Sequence, residues 1–266
     1  MNRCKFALVI AVAAWLALPA LSQSSPKPSD KDLAAITARG ILLAGYDQAA
    51  AHATDAVQAT HPPGGKVTRY IAHQTATGWI VDFGRLNPEN DKFLVVYEAT
   101  QPDGGPYFNV SKLEPERQDT DFNLAADRAI SLALKDFVGA NRPYNVAVLP
   151  AGPDADPAGL FVYLYPAQVK DGVYPYGGDV RYLISPDGST LITKRQMHKS
   201  VLESIPADIP RSTTPAAGYH SHVLSDVPED TDVFLVLSRQ PRMPEYVGAG
   251  GHVFEIEIDG KIKITK

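Results

Sequence analysis

The chain has 266 residues, with 25 Lys and Arg against 30 Asp and Glu, a formal net charge of −5, and one cysteine. Its basic residues are scattered without a run or stripe, which argues against nucleic acid as a partner. Beyond the N-terminal apolar run no stretch is long and apolar enough to span a bilayer as a helix, and a single cysteine excludes an internal disulfide framework.

The chain opens with Arg3, Cys4 and Lys5, continues with an almost wholly apolar run from Phe6 to Leu18, and then reads Pro19-Ala20-Leu21-Ser22. A short basic segment, an apolar core and small residues before a cut describe a cleaved secretory signal. The expectation is a signal over residues 1–22, cleavage after Ser22, and a mature protein that is periplasmic or secreted and not held in a membrane. Cys4 leaves with the leader, so the mature chain has no thiol for catalysis or metal binding. Loss of Arg3 and Lys5 deepens the net charge from −5 to about −7.

Residues 23–29 are rich in Pro and Ser and read as an irregular leader. A first helix is expected from Ser29, with Asp32 completing its cap, towards Val57; Gly40 and Gly45 interrupt an otherwise helical pattern. Strands are expected at Val67–His73, Gly78–Gly84 and Phe93–Ala99, each rich in β-branched and aromatic residues between turn-formers. The polar stretch from Asp103 to Gln118 reads as a long loop or domain boundary. A second helix, capped by Thr120 or Asp121, carries Leu124, Ala125, Ile130, Leu134 and Phe137 along one side.

Strands follow at Tyr144–Pro150, Leu160–Tyr165 and Val180–Ser185. Asp187-Gly188 turns the chain into Thr190–Met197. Ile205–Pro215 is a Pro-rich linker, and Ala217–Leu224 a further strand. Val233–Ser238 fits either strand or helix period. Glu245–Val247, His252–Ile258 and Lys261–Thr265 close the chain. The class is α+β, with leading helices and mainly antiparallel strands joined by hairpins. Two units are expected after the signal, 23–118 and 119–266.

Chemistry concentrates in residues 216–232, which contain His220, His222 and the carboxylates Asp226, Glu229, Asp230 and Asp232. On a strand, side chains at i and i+2 share a face, so two imidazoles can converge on one ion. Two histidines and one carboxylate describe a zinc centre with an open position. The same spacing also fits two histidines on a solvent-facing strand followed by an acidic turn. His198, at the end of a hairpin strand, is a candidate third nitrogen ligand. His52 with Asp55, and His252, read as plain surface polar groups. Trp79, Tyr97, Tyr163 and Tyr165 read as core or sheet aromatics. Neither a Gly-x-Ser-x-Gly elbow nor a phosphate-binding glycine loop is present.

Gly218-Tyr-His-Ser-His222 followed by Ser225, Pro228, Glu229 and Asp232 resembles the JAB/MPN metallopeptidase-like group, in which His-x-His precedes an Asp ligand by about eleven residues. Pro244–Gly248, Gly251–Phe254 and Asp259-Gly260 are similar to the closing strands of such domains. Gly177-Gly178, Arg181-Tyr182 and Asp187-Gly188 are similar to their Gly-Gly strand and hairpin. The likeness covers Tyr176 to Lys266. It implies a C-terminal JAB-like β domain with His220, His222 and Asp232, or less well Asp230, as ligands of zinc, and hydrolysis of an amide or peptide bond in a peptide or protein substrate. Three departures stand out. Asp232 follows His222 by ten residues, Glu229 stands where the group has a Ser three before its Asp, and Val173–Tyr176 holds no glutamate where the group carries its general base. Glu98 and Glu203 are the alternatives for that role. A binding or scaffold protein with a degenerate site is the competing reading, and a cupin-like metal site is a third.

Overall fold

The computed structural model describes residues 25–102, 104–152, 157–205 and 216–265. The expected signal and its cut, and most of the expected 205–215 linker, lie outside the described residues. The chain runs α1 (Asp30–Gln58), β1 (Arg69–Gln74), β2 (Trp79–Leu86), β3 (Phe93–Thr100), β4 (Asn109–Asp119), α2 (Phe122–Asp136), β5 (Tyr144–Pro150), β6 (Leu160–Pro166), β7 (Tyr174–Gly177), β8 (Val180–Ile184), β9 (Leu191–Gln196), β10 (Val201–Ser204), β11 (Gly218–Ser221), α3 (Asp230–Ser238), β12 (Glu245–Ala249), β13 (His252–Ile256) and β14 (Ile262–Ile264). The α+β class follows directly.

Strands β1–β4 form an antiparallel meander. A second antiparallel sheet has the order β5-β6-β8-β9, and β7 pairs with β10 alone. The last sheet has the order β11-β12-β13-β14. In it β11 runs parallel to β12, which requires a crossover, and α3 supplies it. The sequence pattern pointed to hairpins alone. It also pointed to a loop over 103–118, most of which is strand β4. Lys112, Glu114, Glu116 and Gln118 disguise that strand, and it can carry them because it is an edge with little to bury. On α2 the buried stripe is Leu124, Ala126, Ala129, Ile130 and Ala133, whereas Leu134 faces out.

Ser29 caps α1: its Oγ accepts the Asp32 N–H at 3.2 Å, and its own N–H donates to Asp32 Oδ2 at 3.2 Å. The helix has 29 residues, about 44 Å of rise, and serves two cores. Its C-terminal half packs Leu43, Tyr46, Ala53 and Val57 against Ile71, Phe93, Ile130, Val148 and Tyr163, in a cluster drawn from both sides of residue 118. Its first turns pack Leu33 and Ile36 against Val233, Val236, Val247 and Phe254. Both helix glycines mark close approaches. A Cβ on Gly40 would lie 2.4 Å from Val233 Cβ, and one on Gly45 would lie 2.8 Å from the Trp79 ring.

Asp230 ties these layers together. It is fully buried and takes bonds from Arg39 on α1, Tyr163 on β6 and Arg181 on β8. This network fixes the N-terminus of α3, and with it Asp232.

Candidate metal centre

Four ligand-type side chains, His198, His220, His222 and Asp232, bring one donor atom each to within 4.8 Å of one another. The alternation argument holds. His222 continues the β11 ladder by donating its backbone N–H to Gly248 O at 2.8 Å, so its ring shares a face with that of His220. Tyr219 projects to the other face and is exposed. The loop after β11 is short, and the first turn of the crossover helix therefore sits over the end of the strand. An acidic residue is favoured in that turn by the helix dipole. Asp232 occupies it, its Oδ2 accepting the Glu229 backbone N–H at 2.7 Å.

His198 arrives from the other side, just after β9. Its placement depends on Gly177 and Gly178, whose φ values of +74° and +64° lie in the left-handed region. A Cβ on Gly177 would meet Ser200 O at 2.4 Å, and one on Gly178 would meet Val201 Cγ2 at 2.5 Å. The tight turn this allows brings Asp179 beneath His198.

The outer ring nitrogens define the tautomers. His198 Nδ1 lies 2.8 Å from Asp179 Oδ1, and His220 Nδ1 lies 2.9 Å from Glu245 Oε1. His222 Nδ1 lies 3.0 Å from the Val227 carbonyl oxygen, to which Ser225 Oγ also donates at 2.6 Å. Carboxylate and carbonyl oxygens accept, so each Nδ1 carries the hydrogen and donates it. In the neutral rings all three Nε2 lone pairs then aim inward, as in metal-bound histidines. The inner contacts are short. Nε2 of His198 and His222 are 2.9 Å apart, and those of His220 and His222 are 3.3 Å apart. Asp232 Oδ1 is 3.1 Å from His198 Nε2 and 3.0 Å from His220 Nε2, and Oδ2 is 3.1 Å from His222 Nε2. Ligands around a tetrahedral zinc at its usual bond lengths stand roughly 3.3 Å apart.

The supports are buried as well. Glu245 Oε2 accepts from Arg239 Nη1 at 2.9 Å, and both side chains are 2% exposed. The His222 side chain is 0% exposed and that of Asp232 is 1%. Without a cation the centre would crowd three lone pairs against a carboxylate, and protons take the cation's place. Burial opposes charge on His198, but Asp232 and Asp179 outweigh it and push it up to about 11. His220 is pushed up to about 9 by Asp232 and Glu245 against the same burial penalty. Burial raises Asp232, yet the three imidazoles hold it well below the usual carboxylate range.

Of the sequence candidates, His220, His222 and Asp232 come together and His198 joins them. Asp230 turns to Arg39 and Arg181, and Glu229 pairs with Arg195. Asp226 lies outside the cluster, its Cβ and backbone oxygen close against Gly250. His252 Nε2 bonds to Ser25 O at 2.9 Å and is only partly exposed. Glu98 is held by Arg117 and Glu203 faces Arg142, so neither supplies the glutamate missing before Gly177. Glu245 and Asp179 were not anticipated. Their only signal is that a ligating imidazole needs an acceptor behind it.

A 210 Å³ pocket opens against the centre, walled by Tyr176, Met197, His198, Lys199, Leu202, His220, His222, Val223 and Leu224. Tyr176 sits where the resemblance calls for a glutamate, its ring centroid 5.5 Å from that of His220. Among the described residues no carboxylate lines this wall. No family model matches the chain, and neither does any curated protein or solved structure.

Proposed function

We propose that this chain is an exported metalloprotein in which His198, His220, His222 and Asp232 hold one divalent ion, most simply zinc, and that it hydrolyses an amide or peptide bond as the JAB/MPN-like resemblance implies. One observation carries the metal reading: all three imidazoles spend their Nδ1 hydrogens on fixed acceptors and turn Nε2 to a common point beside Asp232. Three imidazoles and a carboxylate suit zinc better than the oxygen-seeking calcium or magnesium. A divalent ion bound there supplies Lewis acidity and draws the pKa of a bound water toward ~7. Arg239 and Glu245 orient His220, Asp179 orients His198, and the pocket lined by the three histidines gives a substrate its approach to the centre.

A non-enzymatic reading is favoured by two features of the same site. Four protein donors complete a tetrahedral set, the pattern of structural zinc, and no carboxylate on the described wall stands ready as a base. Elemental analysis of protein purified without chelator tests the metal: one ion per chain is expected, lost in His220→Ala and His222→Ala. Cobalt substitution separates the two readings. A visible spectrum that shifts on adding acetohydroxamate marks an available coordination position and supports the hydrolase. A spectrum that does not respond supports a closed, structural ion.

A further inference from the structure

The wall of the pocket is specialised. Leu202, Val223 and Leu224 are 48%, 76% and 48% exposed, so three of the large apolar side chains that this protein leaves in water surround one mouth. Val223 and Leu224 directly follow His222, and Leu202 stands opposite Tyr176 in the β7–β10 pair. The buried Met197 closes the floor. The pocket's 210 Å³ is room enough for one large side chain. Lys199 is the wall's one lysine, with no arginine beside it, and among the described residues it makes no ion pair or side-chain hydrogen bond. Lys199 is the one charged side chain among the lining residues besides the histidines, and the rest of the exposed wall is mainly apolar.

Building on the hydrolase reading above, we infer that the pocket takes the C-terminal residue of a peptide, with an apolar side chain against Leu202 and Leu224 and a free carboxylate towards Lys199. The preceding amide carbonyl then lies over the metal centre. The substrate class is a peptide ending in an apolar residue, and the bond cleaved is its last. Hydrolysis adds water across that amide: the C–N bond breaks, the carbonyl carbon gains the hydroxyl, and the released amine takes the proton.

The test uses the full-length mature protein loaded with zinc and three hydroxamates followed by calorimetry. The first carries an isobutyl group and a carboxylate, the second replaces the carboxylate by a primary amide, and the third lacks the isobutyl group. The first is expected to bind tightest, and each deletion is expected to weaken binding at least about tenfold. Lys199→Met should abolish the difference between the first two probes, and Leu202→Asp or Leu224→Asp the difference between the first and third. All three positions are solvent-exposed, so these variants should retain the fold. Equal binding of the three probes, or no binding by any, overturns the inference. Acetohydroxamate on the cobalt form reports separately: a spectral response with equal probe binding leaves the hydrolase reading standing and removes only this specificity.

Discussion

Nε2 of His198 lies 2.9 Å from Nε2 of His222, although 24 residues separate them and each ring has committed its other nitrogen to an acceptor. Two lone pairs do not hold that distance unaided. A shared proton or a metal ion must lie between them, and Asp232 at 3.1 Å from each ring makes room for a cation.

The first prediction concerns the ligands. His222→Ala and Asp232→Asn should each reduce bound zinc from one ion per chain to background in elemental analysis. Wild-type protein should gain about 2.7 kcal/mol of stability at a free zinc concentration one hundred times Kd, whereas these variants should gain nothing, as read by denaturant titration with and without the ion.

Support residues should matter nearly as much. Glu245→Gln leaves an amide that can still accept the His220 hydrogen but no longer matches Arg239, and zinc affinity should fall 10- to 100-fold by competition with a chromophoric chelator. Gly218→Ala should produce a similar loss without touching a ligand, because its Cβ would fall 1.9 Å from Glu245 Oε2. Wild-type affinity in Gly218→Ala would mean that Glu245 does not position His220.

Asp230 is a stability position. Replacing it with Ala strands Arg181 and Arg39, whose side chains are 15% and 28% exposed, and removes the acceptor of the Tyr163 hydroxyl. A loss of about 3 kcal/mol is expected in urea unfolding. Because Arg39 keeps some access to water, Arg39→Met should cost clearly less.

A pH effect is expected at Asp47, where burial raises the carboxyl above its ordinary range despite bonds from Tyr165 and Asn145. The fold therefore binds this proton more tightly than the unfolded chain does. The stabilising contribution is complete below the unfolded value near ~3.9 and is lost as pH rises through the raised folded value. Asp47→Asn keeps an acceptor for both donors and carries no charge. Its melting temperature relative to wild type should be higher at pH 7 than at pH 4; an unchanged difference would show that Asp47 does not titrate in this way.

Much of the site was legible because period-two alternation on a strand is a strong rule. His220 and His222 needed only that, and Asp232 followed from the resemblance of the segment around them. His198 was harder. Its position depends on a left-handed Gly177-Gly178 turn that places Asp179 beneath it, and the sequence shows the glycines but not where the turn carries its neighbours. Glu245 was read only as the start of a strand, although that strand is the parallel partner of β11. In the fold, β4 was hidden because an edge strand exposed along most of its length has no apolar face to betray it. Gly40 looked like a defect in α1 when it is the point at which α3 approaches.

That approach has a consequence for how the protein is made. Helix α1 finds the partners of Leu33 and Ile36 only some two hundred residues later, in Val233, Val247 and Phe254, and its Thr37 hydroxyl donates to the Gly260 carbonyl at 3.1 Å. The segment carrying Asp232 is thus braced by an element that precedes it by some two hundred residues. In a chain synthesised from its N-terminus, α1 waits for α3, β12 and β13 before this second core can close, and Asp232 is set beside the three histidines only then.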